Sequence, residues 1–273
     1  MGTKRDFNGQ PVAPDAMASD SSPVLSIFET FRDELDEHHD RREKVIKASR
    51  DITALSKKII FALQRVRAIN QPLPPKIVKE NQTRFDQIHA LFTSVVPDLT
   101  GIKAWRYQRQ ISPGIQEFIE AISFDHYLRT QTLITHDEVI ARLPAGILVT
   151  EEDYLMGLFD LTGEMMRFAT VALSSGNAMP TDTQSTDQAP HPPRLSSTQS
   201  GIVVDLRTMR ARVEALTVPR RHNMLRDLEK KQEVMRNSVE KVERAAYGIL
   251  VRGSERPGGW MPDLSAPVEL EIH

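Results

Sequence analysis

The chain has 273 residues, 40% of them hydrophobic and 26% charged, and 35 Lys plus Arg against 37 Asp plus Glu leave a net charge of −2. That balance excludes fibrous and wholly disordered classes, and no run of 18 apolar residues is present to cross a membrane. The lack of cysteine excludes disulfides, thiol catalysis and cysteine-ligated zinc, and it suits a reducing cytosolic or nuclear setting.

Residues 1–21 are rich in Gly, Pro, Ser and Asp and read as a disordered tail without an apolar signal segment. Ser22-Pro23 then supplies a cap and a first-turn proline. From Val24 to Asn70 there is neither Gly nor Pro, and Leu25, Phe28, Phe31, Leu35, Val45, Ile52, Ile59, Leu63 and Val66 recur at helical offsets. One helix of about 70 Å is expected. Gln71-Pro-Leu-Pro-Pro75 ends it. A second helix is expected over Lys76–Val96 and a third over Ile102–Leu133, interrupted or kinked at Pro113-Gly114.

Thr135 with Glu138 forms a capping-box pattern before a short helix to Leu143, and Thr150 with Asp153 a weaker one before a helix over Glu151–Ser174. Residues 175–200 are polar and carry four prolines, which marks a mobile insert. The last helices fall at Ile202–Leu216 and Arg221–Val251, with a Pro/Gly-rich tail over 257–273. Strand alternation and hairpin signals are missing, so the chain is expected to be all-α, with one helical domain over residues 22–256.

Two segments carry chemistry. Glu117 and Glu120 are three apart in a helix whose other residues include Ile115, Phe118, Ile119, Ile122 and Phe124. Asp160 and Glu164 are four apart amid Leu155, Leu158, Phe159, Leu161, Met165 and Phe168. These acids sit among core residues, not on a lysine-rich solvated face. If the two helices met, each pair at ~5 Å and an effective dielectric of ~20 would repel by roughly 3 kcal/mol. Such a cluster persists by protonation or by holding a divalent cation, and all-oxygen ligation suits Mg²⁺, Mn²⁺ or Ca²⁺. Spacing alone leaves open a blander arrangement, in which each acid caps a helix, pairs with an arginine or faces water.

On the helix leading into Glu117, Trp105-Arg-Tyr-Gln-Arg109 places Arg106 and Arg109 on one face, candidates for gripping an RNA backbone. The alternative is an ordinary amphipathic helix with Trp105 and Tyr107 packed inward. His38 and His39 are expected on a solvated or partner-facing surface, since neighbouring residues diverge by about 100° on a helix. Lys57, Lys58, Arg65 and Arg67 add surface charge. A phosphate-cradling glycine loop, a Ser/His/Asp arrangement and an HExxH motif are all missing, which removes those enzyme classes.

Glu34-Leu-Asp-Glu-His-His-Asp40, Ser49-Arg-Asp-Ile-Thr53, Glu117-Phe-Ile-Glu-Ala-Ile-Ser-Phe-Asp-His126, Asp160-Leu-Thr-Gly-Glu164 and Val251-Arg-Gly-Ser-Glu255 together resemble the translin family over about residues 23–256. The likeness is closest to its translin-associated subunit. The resemblance implies a seven-helix fold and a hetero-oligomer with translin that closes into a hollow, octamer-like shell. It implies an endoribonuclease, dependent on Mg²⁺ with Mn²⁺ as a substitute, that cuts single-stranded RNA. The roles implied are passenger-strand removal in RNA silencing and trimming of tRNA fragments, in cytoplasm and nucleus and away from membranes. The family's acidic positions fall on Glu117, Glu120, Asp160 and Glu164, as metal ligands and catalytic residues. The alternative is a helical scaffold that stabilises translin and binds nucleic acid without cutting it.

Overall fold

The computed structural model describes residues 23–175, 195–217 and 227–252, and every regular element among them is helical. The helices are α1 (Pro23–Leu63), α2 (Pro75–Val95), α3 (Ile102–Thr130), α4 (His136–Ala141), α5 (Glu151–Ser175), α6 (Ser197–Glu214) and α7 (Leu228–Tyr247). The all-α expectation and the count of seven hold among these residues. The tail over 1–21, the tail over 257–273 and most of the 175–200 insert lie outside them.

α1 and α2 form an antiparallel hairpin. Arg65 near the end of α1 faces Glu80 near the start of α2 at 3.4 Å, while Lys44 reaches back to Asp98 at 2.7 Å. α3 then runs in the same sense as α1, with Tyr107 beside His38 at one end and the Leu128 carbonyl accepting from the Asn70 amide at the other. α4 and the extended stretch after it carry the chain back, so that α5 lies alongside α3 and parallel to it. α6 and α7 pair antiparallel through Arg207–Glu243 and Arg236–Glu214 at 2.5 and 3.2 Å. Gln199 and Asp205 fasten α6 to the Ala172 carbonyl and to Tyr127, both at 2.8 Å.

A continuous core of Ile, Leu, Val and Phe fills the spaces between these layers. Phe118 of α3 packs edge-on against Phe92 and Phe85 of α2, with ring centroids 5.6 and 6.3 Å apart. That contact points one face of α3 toward α2 and leaves the Glu117/Glu120 edge for α5.

Several boundaries differ from the sequence reading. α1 is 41 residues, about 60 Å, and stops at Leu63 instead of Asn70. Val66 and Ile69 remain buried in irregular chain, and Asn70 adopts a left-handed φ of 56°. α3 ends at Thr130 because Gln131 takes the left-handed cap at φ 53°, its amide returning to the Tyr127 carbonyl. α6 begins at Ser197, inside the stretch read as an insert, because Ser196 and Gln199 form a capping box. α7 is described from Leu228; residues 221–226 of the expected helix lie outside the described segments.

α3 also passes Pro113 without a break. The proline lacks an amide hydrogen and disrupts the local ladder, and Ser49 of α1 ties the residues on either side of it. Its hydroxyl accepts from the Gly114 amide at 3.0 Å and donates to the Ile111 carbonyl at 3.4 Å. Gly114 is needed there, since a β-carbon would stand 3.0 Å from the Ser49 carbonyl oxygen.

Candidate active site

The four acids converge, as the sequence reading supposed. α3 presents Glu117 and Glu120, one turn apart, and α5 presents Asp160 and Glu164. Gly157 makes the approach close: a β-carbon on it would lie 2.6 Å from Ile119 Cγ2 and 3.0 Å from the Gln116 carbonyl oxygen of α3. Its register is set one turn earlier by Asp153, buried at the start of α5. Asp153 accepts from Gln108 at 2.8 Å, Gln116 at 2.9 Å, Thr150 at 2.8 Å and Ser112, so α3 and α5 are pinned four residues before Gly157.

Glu120 and Glu164 are 8% and 5% exposed, whereas the Asp160 side chain is 41% exposed and stands at the mouth. Burial, then the charges of Glu117, Asp160 and Glu164, lift the Glu120 carboxyl from the ordinary 4.5 to about 8. Glu117 is raised as well, by burial first, against the pull of Lys57. The electrostatic tension foreseen for a converging cluster is therefore present, and Glu120 carries most of it as a retained proton.

Each of the other three acids has a counterpart. Lys57 of α1 stands 3.8 Å from Glu117, Lys231 of α7 pairs with Asp160, and Glu164 is held by Arg167 and by Gln64 in the turn just after α1, whose amide donates at 2.5 Å. Among the described residues, no three His, Asp or Glu side chains are drawn together tightly enough to enclose an ion as they stand. The donor set still suits one. It is all carboxylate oxygen, and its most buried members carry a surplus of like charge that a hard divalent cation would relieve. Gln64 acts as a second layer, fixing one carboxylate from behind.

Arg106 and Arg109 do not share a fate. Arg106 turns to His38, which also meets the Tyr107 hydroxyl at 2.7 Å, so His38 is part of the α1–α3 contact and not plain surface. Arg109 lines two clefts beside the acids. Tyr107 is buried, but Trp105 is 70% exposed, contrary to the inward packing weighed for both. One of those clefts, about 550 Å³, runs from Trp105 and Arg109 past Gln116 to Lys231, which pairs with Asp160. Gln64 and Lys231 escaped the sequence reading, which took Lys57 as surface charge and Asp153 as part of a helix cap. Only Arg167, three residues after Glu164, had a local spacing signal.

A model described as the Translin family matches residues 40–253. The chain belongs to the translin family. It is 31% identical over 273 residues to translin-associated protein X of Rattus norvegicus, covering 90% of this chain and 85% of that protein. A translin-associated protein X homolog of Schizosaccharomyces pombe is 28% identical over 229 residues, 84% of this chain and 89% of its own. Among solved structures, one titled crystal structure of apo-NeC3PO superimposes with a TM-score of 0.58 at 16% identity, covering 80% of this chain and 94% of that one. The translin-family match includes all four acids and both arginines of the α3 segment.

Proposed function

We propose that this chain is the catalytic subunit of a hetero-oligomer with a translin partner and that it cuts single-stranded RNA by metal-assisted hydrolysis. The observation that carries this reading is the meeting of Glu117, Glu120, Asp160 and Glu164 in one half-buried cluster, with Glu120 raised to about 8 by burial and then by its neighbours' charge. Those four would hold Mg²⁺, or Mn²⁺ in its place. When bound, the ion supplies an activated water and neutralises charge on the phosphate. The chain's own residues do the rest. Gln64 and Arg167 orient Glu164. Lys57 and Lys231 stand at the rim on long flexible stems, where they meet an incoming phosphate and hold it over the acids. Glu120 keeps its proton until a cation takes its place.

The similarity to translin-associated proteins supports the family, and membership supports the translin partner. Burial of the acids supports the chemistry, because a solvated acidic face would not press a carboxyl to this extent. A scaffold without cleavage is favoured by one observation, the pairing of Glu117, Asp160 and Glu164 with Lys57, Lys231 and Arg167.

Cleavage of labelled single-stranded RNA by the co-expressed complex separates the two readings. Cutting with Mg²⁺ that EDTA stops, and that Glu117→Ala or Asp160→Ala abolishes in an assembled complex, is the expected result. Cutting that survives both substitutions places the active site elsewhere, and no cutting at all favours the scaffold.

A further inference from the structure

Beside the carboxylates, the seam between α1 and α3 opens into a cavity of about 660 Å³ walled by Arg42, Arg50 and Arg109, with no acidic side chain in its lining. Most arginines described along α1–α3 are engaged: Arg41 with Glu37, Arg65 and Arg84 with Glu80, Arg106 with His38. Arg50 and Arg109 have no ion pair among the described residues. Arg42 meets only its chain neighbour Glu43, at 2.8 Å with both side chains half exposed, and an exposed pair of that kind is worth little. Three guanidiniums facing one space repel each other, and an anion relieves them. Their planar, forked donors match phosphate oxygens in pairs.

Position ties the cavity to the acids. Its wall includes Thr53 on α1 and Pro113 on α3. Four residues further along, about 6 Å of helix rise, stand Lys57 and Glu117, themselves 3.8 Å apart. Arg42, Arg50 and Lys57 thus follow α1 at steps of about 12 and 10 Å, a line of cations leading to the cluster.

The lining also holds Gln110, whose Oε1 is buried and has no hydrogen-bond partner. Guanidiniums, which only donate, cannot satisfy each other, but they and this acceptor together ask for a ligand with both phosphate oxygens and a hydroxyl. The ribose 2′-hydroxyl supplies the hydroxyl that deoxyribose lacks.

We propose that the cleft walled by Arg42, Arg50 and Arg109 binds the ribose-phosphate backbone of single-stranded RNA one helical turn from the carboxylates, with Gln110 reading the 2′-hydroxyl. The proposal rests on the RNA reading above, but it concerns binding and not cleavage.

The test uses the full chain in complex with its translin partner, without divalent metal so that nothing is cut, and labelled 12-residue oligouridine and oligodeoxyuridine as probes. Arg50→Ala and Arg109→Ala should each weaken RNA binding about tenfold and lower the slope of log affinity against log salt by about 0.7, the value for one single-strand phosphate contact. Gln110→Leu should shrink the preference for RNA over DNA. Unchanged affinity and slope in both arginine variants overturn the site, and an unchanged RNA preference overturns the role of Gln110. Variants that leave the complex on size exclusion make the cleft a seat for an acidic partner surface, which also overturns it. A wild-type complex that binds RNA but never cuts it when Mg²⁺ is restored defeats the nuclease reading alone.

Discussion

Gly157 of α5 lies against Ile119 of α3 so closely that any side chain there must displace one helix from the other. The contact sits between the two carboxylate pairs, so the same missing β-carbon sets both the packing and the spacing of the acids. Gly157→Ala should destabilise the fold by about 1–3 kcal/mol through overpacking and weaken Mg²⁺ binding. Gly163, in the same helix, meets nothing within 4 Å of an added β-carbon. There the alanine replacement should raise stability by about 1 kcal/mol through helix propensity alone. Denaturant midpoints of the two variants check the contrast; equal shifts would contradict it.

Glu120 makes a signed prediction about pH. Its carboxyl titrates near 4.5 when the chain is unfolded and near 8 when folded. Between those values the folded state holds a proton that the unfolded state has released, so stability falls as pH rises from 4.5 to 8 and is level above. Glu120→Gln removes that loss. In metal-free buffer its melting temperature should match the parent near pH 4.5 and exceed it increasingly toward pH 8, where roughly 4 kcal/mol of stability separates them. Parallel melting curves across that range refute the assignment.

The same proton should appear in calorimetry. On the proposed reading, uptake of Mg²⁺ at pH 7 displaces it from Glu120. The measured heat should then vary with the ionisation enthalpy of the buffer, and affinity should climb with pH until about 8. Above pH 9 the buffer dependence should vanish.

Ser49 offers a test remote from the acids. Its hydroxyl bridges the Gly114 amide and the Ile111 carbonyl on either side of Pro113. Ser49→Ala removes both bonds at a buried position and should cost about 1–3 kcal/mol. Hydrogen exchange should show the Gly114 amide losing protection first.

How far the residues disclosed this arrangement depends on the range of each signal. Thr135–Glu138 and Thr150–Asp153 were legible because both partners lie within four residues, and both bonds are present. Ser196–Gln199 has the same form, but the polar, proline-bearing composition around it concealed the helix start. The end of α1 was overrun because Val66 and Ile69 keep a helical interval while packing from irregular chain. The acids stood out because each helix is otherwise apolar. Their counterparts did not, since Gln64 and Lys231 are 100 and 71 positions from the acids they meet, and no local pattern links them. The passage of α3 through Pro113 depended on a hydroxyl 64 residues away in α1.

The first turns of α1 carry Ile27, Phe28, Phe31 and Leu35, all more than half exposed and within one stretch of helix. A soluble monomer rarely keeps so many large apolar groups wet in one place. In a cell, an orphan copy of this chain would offer that ridge to chaperones and proteases from the moment of synthesis. If the partner proposed above covers the ridge, the lifetime of this subunit would follow the partner's supply, and its amount would record assembly more than transcription.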